Sequence, residues 1–108
     1  MIMEPARSFQ PEPGFLEGVR EVTRARGVVL IFDEVVTGFR YARGGAQEYF
    51  GVTPDMATFA KCISNGFALG AVVGKREVME VAIDSFISSV YWAEATGLAA
   101  GKKTLEIY

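Results

Sequence analysis

The chain contains no histidine and a single cysteine, Cys62. Without histidine it lacks the commonest general base and the commonest metal ligand. A Ser-His-Asp hydrolase, a histidine–zinc enzyme and a Cys-His protease are therefore excluded within these residues. One cysteine excludes an internal disulfide and a cysteine-rich zinc module, and no metal site is expected. Basic residues are not in surplus: eleven Lys and Arg against thirteen Asp and Glu leave a net charge of −2. That balance argues against a nucleic-acid partner. The longest apolar run, Val28 to Phe32, is far too short for a bilayer, and the N-terminus has no signal-like apolar region. No membrane association is expected, and a cytoplasmic location is the default. Disorder is also excluded, because half of the 108 residues are apolar and 12% are aromatic.

The apolar residues fall in short, punctuated blocks. Met1-Ile2-Met3 reads as the end of a buried strand, and Pro5 to Gly14, with three prolines, reads as a loop. Phe15, Leu16, Val19 and Val22 recur at helical spacing, with Gly27 as the stop. Val28 to Phe32 is a continuous run ending in Asp33-Glu34, the pattern of a strand buried on both faces of a parallel sheet. Thr37 to Gly45 reads as loop, Ala46 to Phe50 as a short helix stopped by Gly51, and Thr53-Pro54-Asp55 as a turn. Further strands are expected at Met56 to Ala60 and Gly70 to Gly74, with a turn at Ser64-Asn65-Gly66 between them. A helix is expected over Arg76 to Ile83, an extended segment over Phe86 to Tyr91, and a helix over Ala93 to Tyr108. Alternating helices and buried strands predict an α/β fold. Both ends read as cut from a larger fold, so residues 1–108 are expected to form part of a domain. Open strand edges and unpartnered helix faces would then leave the isolated piece unstable or associating.

Two residues carry chemistry. Asp33 closes the most apolar strand and Lys61 closes the next. In open parallel sheets, ligands bind beyond the carboxyl ends of the strands, so both side chains would face one crevice. Alone, Asp33 is compatible with an acid capping the next turn, and Lys61 with a solvated amine. But Lys61 lies between Phe59-Ala60 and Cys62-Ile63. An amine in apolar surroundings is desolvated and becomes a nucleophile for a carbonyl. One cofactor uses both groups: pyridoxal 5'-phosphate needs a lysine for its aldehyde and a carboxylate for its ring nitrogen.

A competing reading is a P-loop ATPase, since Val29 to Glu34 has the apolar-run-plus-acid shape of a magnesium-holding strand. The required phosphate loop is approached only by Gly70-Ala71-Val72-Val73-Gly74-Lys75, which is one residue short and is followed by Arg76. No G-x-G-x-x-G is present, which leaves a dinucleotide-binding fold unsupported.

The segments Ile31 to Arg40, Gly44 to Asp55, Lys61, Asn65-Gly66 and Leu69 to Gly74 resemble, in order, class III aminotransferases. The nearest subgroup by these motifs is glutamate-1-semialdehyde 2,1-aminomutase and related enzymes. The resemblance implies part of the large domain of the type I pyridoxal phosphate-dependent transferase fold, with the Gly70 to Gly74 strand antiparallel to the others. It implies an aminotransferase or aminomutase acting on small amino-group donors and acceptors, and a homodimer with its active site at the subunit interface. By the same likeness Lys61 forms the Schiff base, Asp33 pairs with the ring nitrogen and Val35 packs on one ring face. Glu34 and Arg40 take structural roles.

Two departures from the resemblance stand out. Ser64 to Ala68 replaces a stretch richer in glycine, and Val90 stands near where the family has a Ser or Thr whose hydroxyl binds the cofactor phosphate of the partner subunit; Ser88 or Ser89 is the available substitute. By the same resemblance, the family's phosphate turn and stacking aromatic residue are expected upstream of Met1, and its carboxylate-binding domain downstream of Tyr108. A non-catalytic truncated fragment is therefore the alternative to an enzyme.

Overall fold

The computed structural model describes residues 1–92 and 94–108. It contains a four-stranded sheet, β1 (Ile2–Met3), β2 (Ile31–Asp33), β3 (Met56–Phe59) and β4 (Ala71–Gly74), in the order β1-β2-β3-β4. The first three strands are parallel and β4 runs antiparallel to β3. The helices are α1 (Phe15–Ala25), α2 (Ala46–Phe50), α3 (Arg76–Met79) and α4 (Ala95–Ile107). The α/β expectation and the direction of β4 both hold. Because the parallel strands share one polarity, Glu4 after β1, Asp33 at the end of β2 and Lys61 after β3 come to one edge of the sheet.

The core lies between α1, β2 and the segment after α2. Leu16, Leu30, Phe32 and Val52 are buried together, with Met3, Val19 and Phe50 against them. Of the apolar positions expected to anchor α1, Leu16 and Val19 face this core, whereas Phe15 and Val22 stay exposed. Glycine stops act where expected. Gly27 and Gly51 have φ of 62° and 70°, the left-handed conformation that ends a helix without a Cβ penalty.

β2 is shorter than the Val28 to Asp33 run predicts. The Val28 N–H donates to the Thr23 carbonyl at the end of α1, and the Leu30 N–H donates to the Asp55 carboxylate. Both donors are thereby taken from the strand ladder. Burial on both faces is not observed either: Phe32 is buried, but Ile31 and Asp33 are half-buried and Val28 and Val29 exposed.

Asp55 is the principal polar joint. Its carboxylate accepts from the Leu30 N–H at 2.8 Å, from Arg20 at 2.9 Å and from Lys75 at 2.7 Å. It thus ties α1 and the residue after β4 to the start of β2. Burial on its own raises the carboxyl pKa, but the Leu30 N–H, Lys75 and Arg20 outweigh that and hold it well below the usual carboxylate range. The Gly70 to Lys75 stretch forms strand β4 and the residue after it, with the Lys75 amine spent on Asp55. A phosphate-cradling loop at this place is excluded.

The second half departs further from expectation. The helix predicted over Arg76 to Ile83 is four residues of α3 and then a 3-10 turn, Glu80–Asp84. Val81 and Ile83 are exposed, so burial of an apolar face does not sustain a longer helix. Phe86 to Tyr91 form no strand and lie exposed. The expected helix starting at Ala93 is found as α4; Ala93 itself lies outside the described residues. Glu94 caps α4 by accepting from the Thr96 and Gly97 N–H groups, both at 2.7 Å. The Thr96 side chain first, and then these two amides, hold its carboxyl below the ordinary range. The buried stripe of α4 is not its apolar side chains but Gly97, Gly101 and Thr104, while Leu98, Leu105 and Ile107 are exposed.

Candidate active site

A cavity of about 480 Å3 opens at the carboxyl end of the parallel strands, lined by Glu4, Arg7, Ser8, Asp33, Val35, Val36 and Lys61. The three residues singled out from the sequence, Asp33, Val35 and Lys61, therefore share one cavity. The lining also includes Glu4, at the end of the strand read at Met1 to Met3, and Arg7 and Ser8, which the sequence places only in a loop. The signal for Glu4 was available, since it directly follows β1 and the strand-end rule applies there as well.

Asp33 is fixed by its own backbone and by strand register. Its Oδ1 accepts from the Val35 N–H at 3.0 Å, closing a tight turn just past the strand. Thr58, directly opposite on β3, brings its hydroxyl to 3.5 Å from the same oxygen. Oδ2 makes no hydrogen bond among the described residues. Thr58 escaped the sequence reading because only the β2–β3 register places it beside Asp33.

The next residue, Glu34, turns the other way and is fully buried. It accepts from the Thr37 hydroxyl and from the Ala46 and Gln47 N–H groups, each of these two at 2.8 Å. This carboxylate joins the loop after β2 to the start of α2. Gly45 is required there: its φ is 83°, and a Cβ would lie 2.5 Å from the Glu34 carboxylate. The structural role assigned to Glu34 is thus observed as a clasp. Arg40 is exposed and directs its Nε to the Cys62 sulfur at 3.0 Å, touching the turn that follows Lys61.

Lys61 opens a 3-10 turn, Lys61–Ile63, directly after β3. It adopts φ of 51°, a left-handed conformation that few residues with a side chain occupy. Its side chain is exposed, which corrects the sequence argument that apolar neighbours would desolvate the amine. Its apolar sequence neighbours therefore do not bury it in this chain. Ser88 is exposed, and Ser89 lines a separate cavity with Ala68, Gly70, Tyr91, Trp92 and Glu94. Neither serine lines the Asp33–Lys61 cavity.

A primary amine and a carboxylate on one cavity suit a ligand that offers a carbonyl at one end and a basic ring nitrogen at the other. Arg7 and Ser8 add a cation and a hydroxyl, although the Arg7 guanidinium is already paired with the Glu4 carboxylate of the same lining at 3.3 Å. Among the described residues no cluster of His, Cys, Asp and Glu could hold a metal, and no helix is long and apolar enough to cross a membrane.

Comparison with known proteins agrees with this geometry. Residues 2–108 match the family model for aminotransferase class-III. A 3-aminobutyryl-CoA aminotransferase from Cloacimonas acidaminovorans (strain Evry) is 50% identical over 98 residues, which are 90% of this chain and 24% of that protein. Among solved structures, an omega-transaminase from Sphaerobacter thermophilus superposes with a TM-score of 0.88 at 36% identity, over 98% of this chain and 26% of the other. The FumI protein of Sphingopyxis sp. MTA144, in its PLP internal aldimine form, gives a TM-score of 0.91 at 28% identity, over 98% of this chain and 27% of the other. The chain thus spans about a quarter of the length of these relatives. In sequence and in fold, this chain belongs to the class III aminotransferase family.

Proposed function

We propose that this chain is the lysine-bearing part of the large domain of a pyridoxal 5'-phosphate-dependent aminotransferase. The observation that carries the reading is Asp33 and Lys61 at the carboxyl ends of adjacent parallel strands, facing one cavity, in a chain of this family. When bound, pyridoxal phosphate supplies an electron sink for negative charge at the substrate carbon that bears the amino group. The Val35 N–H fixes the Asp33 carboxylate through Oδ1, and the carboxylate so held would pair with the ring nitrogen and keep it protonated. Lys61 Nζ would hold the cofactor aldehyde, and the same amine would serve as the base that moves the proton at that substrate carbon. Val35, half-buried at the cavity wall, would pack against the ring.

The reaction we favour is transfer between two molecules, an amino donor and an oxo acceptor. The similar proteins are an aminotransferase and an omega-transaminase, which supports transfer over the internal shift of a glutamate-1-semialdehyde-like aminomutase. A homodimer fits the exposed Phe86 and Val90, 96% and 93% exposed, as a surface for a second subunit to cover. The test is a half-reaction with the complete protein. With an amino donor and no acceptor, an aminotransferase releases one equivalent of oxo product per site and stops until acceptor is added. An aminomutase returns an isomer of its substrate without any acceptor, and a non-catalytic chain releases nothing.

A further inference from the structure

The lysine-bearing turn is anchored from outside the cavity. Two of its residues with side chains, Lys61 and Asn65, have φ of 51° and 50°. The Lys61 carbonyl accepts from the Ser64 N–H at 3.2 Å and from the Asn65 N–H at 3.0 Å, so the turn closes on the lysine's own backbone. The buried Ser64 hydroxyl donates to the Phe67 carbonyl at 2.6 Å and fixes the far side of the turn. Asparagine is among the few residues that tolerate the left-handed region, which accounts for the backbone of Asn65 but not for its side chain.

That side chain reaches α4. Asn65 Nδ2 donates to Thr104 Oγ1 at 3.3 Å. The Thr104 hydroxyl, buried, donates its own proton to the Ala100 carbonyl at 3.1 Å, so only an oxygen lone pair is left for Asn65. The bond therefore has one possible direction. α4 comes this close because Gly97 and Gly101 face the turn; a Cβ on Gly101 would lie 2.5 Å from the Leu69 side chain.

We propose that Asn65 and Thr104 are positioning residues: α4 clamps the turn at Asn65 and thereby holds Lys61 in the left-handed conformation that presents its amine to the cavity containing Asp33. The proposal rests on the assignment of Lys61 to the cofactor aldehyde, and its test separates the two. The complete protein is prepared without cofactor as wild type, Asn65→Gly, Thr104→Val and Thr104→Ser. Asn65→Gly keeps the left-handed backbone and removes the amide; Thr104→Val keeps the shape and removes the lone pair. The first readout is the rate at which each apo-protein captures pyridoxal phosphate. The second is the pH midpoint of the absorption band of the lysine–cofactor bond, which a loss of stability alone does not move. The third is the rate of reductive methylation of Lys61 in the apo-protein, read by mass spectrometry.

Asn65→Gly and Thr104→Val slow capture by about fivefold, the factor corresponding to one neutral hydrogen bond. Both also shift the midpoint and change the methylation rate of Lys61. Thr104→Ser retains wild-type behaviour in all three. If Thr104→Val does not fold, Asn65→Gly decides by the same readouts. Wild-type rates and midpoint in the folded variants, with the cofactor still on Lys61, would overturn the clamp alone. Cofactor on a different lysine would overturn the functional assignment beneath it.

Discussion

Replacing Asp55 tests whether the fold is tied together where the structure places its principal polar joint. In Asp55→Ala the Leu30 N–H loses its acceptor at a fully buried position, which costs about 1–3 kcal/mol. Arg20, whose side chain is 19% exposed, loses its partner as well. Breaking a fully buried pair costs about 3–5 kcal/mol, and the partial exposure of Arg20 reduces that. Lys75 is half exposed and adds about 0–1 kcal/mol. The contributions overlap, and the expected total is about 3–4 kcal/mol, a large share of ordinary stability. Asp55→Asn keeps an acceptor for Leu30 while losing the charge, so about half of that loss is expected. Equilibrium urea unfolding of the complete protein gives the totals, and hydrogen exchange at the Leu30 amide reads the local effect. The pH dependence has a definite sign. The folded carboxyl titrates below its unfolded value, so the stabilisation is fully present above the unfolded pKa, near 4, and fades as pH falls toward the folded one. Asp55→Asn therefore loses less stability than wild type on acidification. A loss under about 1 kcal/mol in Asp55→Ala, with unchanged Leu30 exchange, would refute the reasoning.

Other substitutions probe the remaining joints. Glu34→Gln leaves one acceptor and introduces a donor facing the Ala46 and Gln47 N–H groups; a loss of about 2–3 kcal/mol in urea unfolding is expected, with increased exchange at those amides. Gly97→Ala drives a methyl group into the Ala68 carbonyl and should cost about 2 kcal/mol through displacement of α4. Gly101→Ala clashes with the end of the Leu69 side chain, which can turn away, and meets the Ile63 carbonyl at an ordinary 3.6 Å, so its loss measured by thermal melting is smaller.

The sequence makes the sheet and the strand-end residues legible because those features are written locally. An apolar run into Asp33, a second into Lys61, and glycines at 27 and 51 each declare an element or its end within a few residues. The resemblance to class III aminotransferases supplied the direction of β4, which the local pattern left open. What escaped detection depends on distant partners. Asp55 sits in what reads as an ordinary Thr-Pro-Asp turn, yet it meets Arg20, Leu30 and Lys75. Thr58 matters only through its register with Asp33, and the packing face of α4 is a stripe of small residues that hydrophobic periodicity overlooks. Apolar sequence neighbours predict a desolvated Lys61, but adjacency in sequence does not fix what surrounds a side chain, and Lys61, at the start of a 3-10 turn, is exposed.

The central claim is that Lys61 is the residue that holds the cofactor. Borohydride reduction of the complete protein loaded with pyridoxal phosphate, followed by peptide mapping, tests it directly. The account predicts a single pyridoxyl group on Lys61. The other lysines of this chain give the contrast: Lys75 is bound to Asp55, and Lys102 and Lys103 are exposed on α4. A stoichiometric pyridoxyl group on any of these, or on a residue outside this segment, with Lys61 unmodified, would contradict the account.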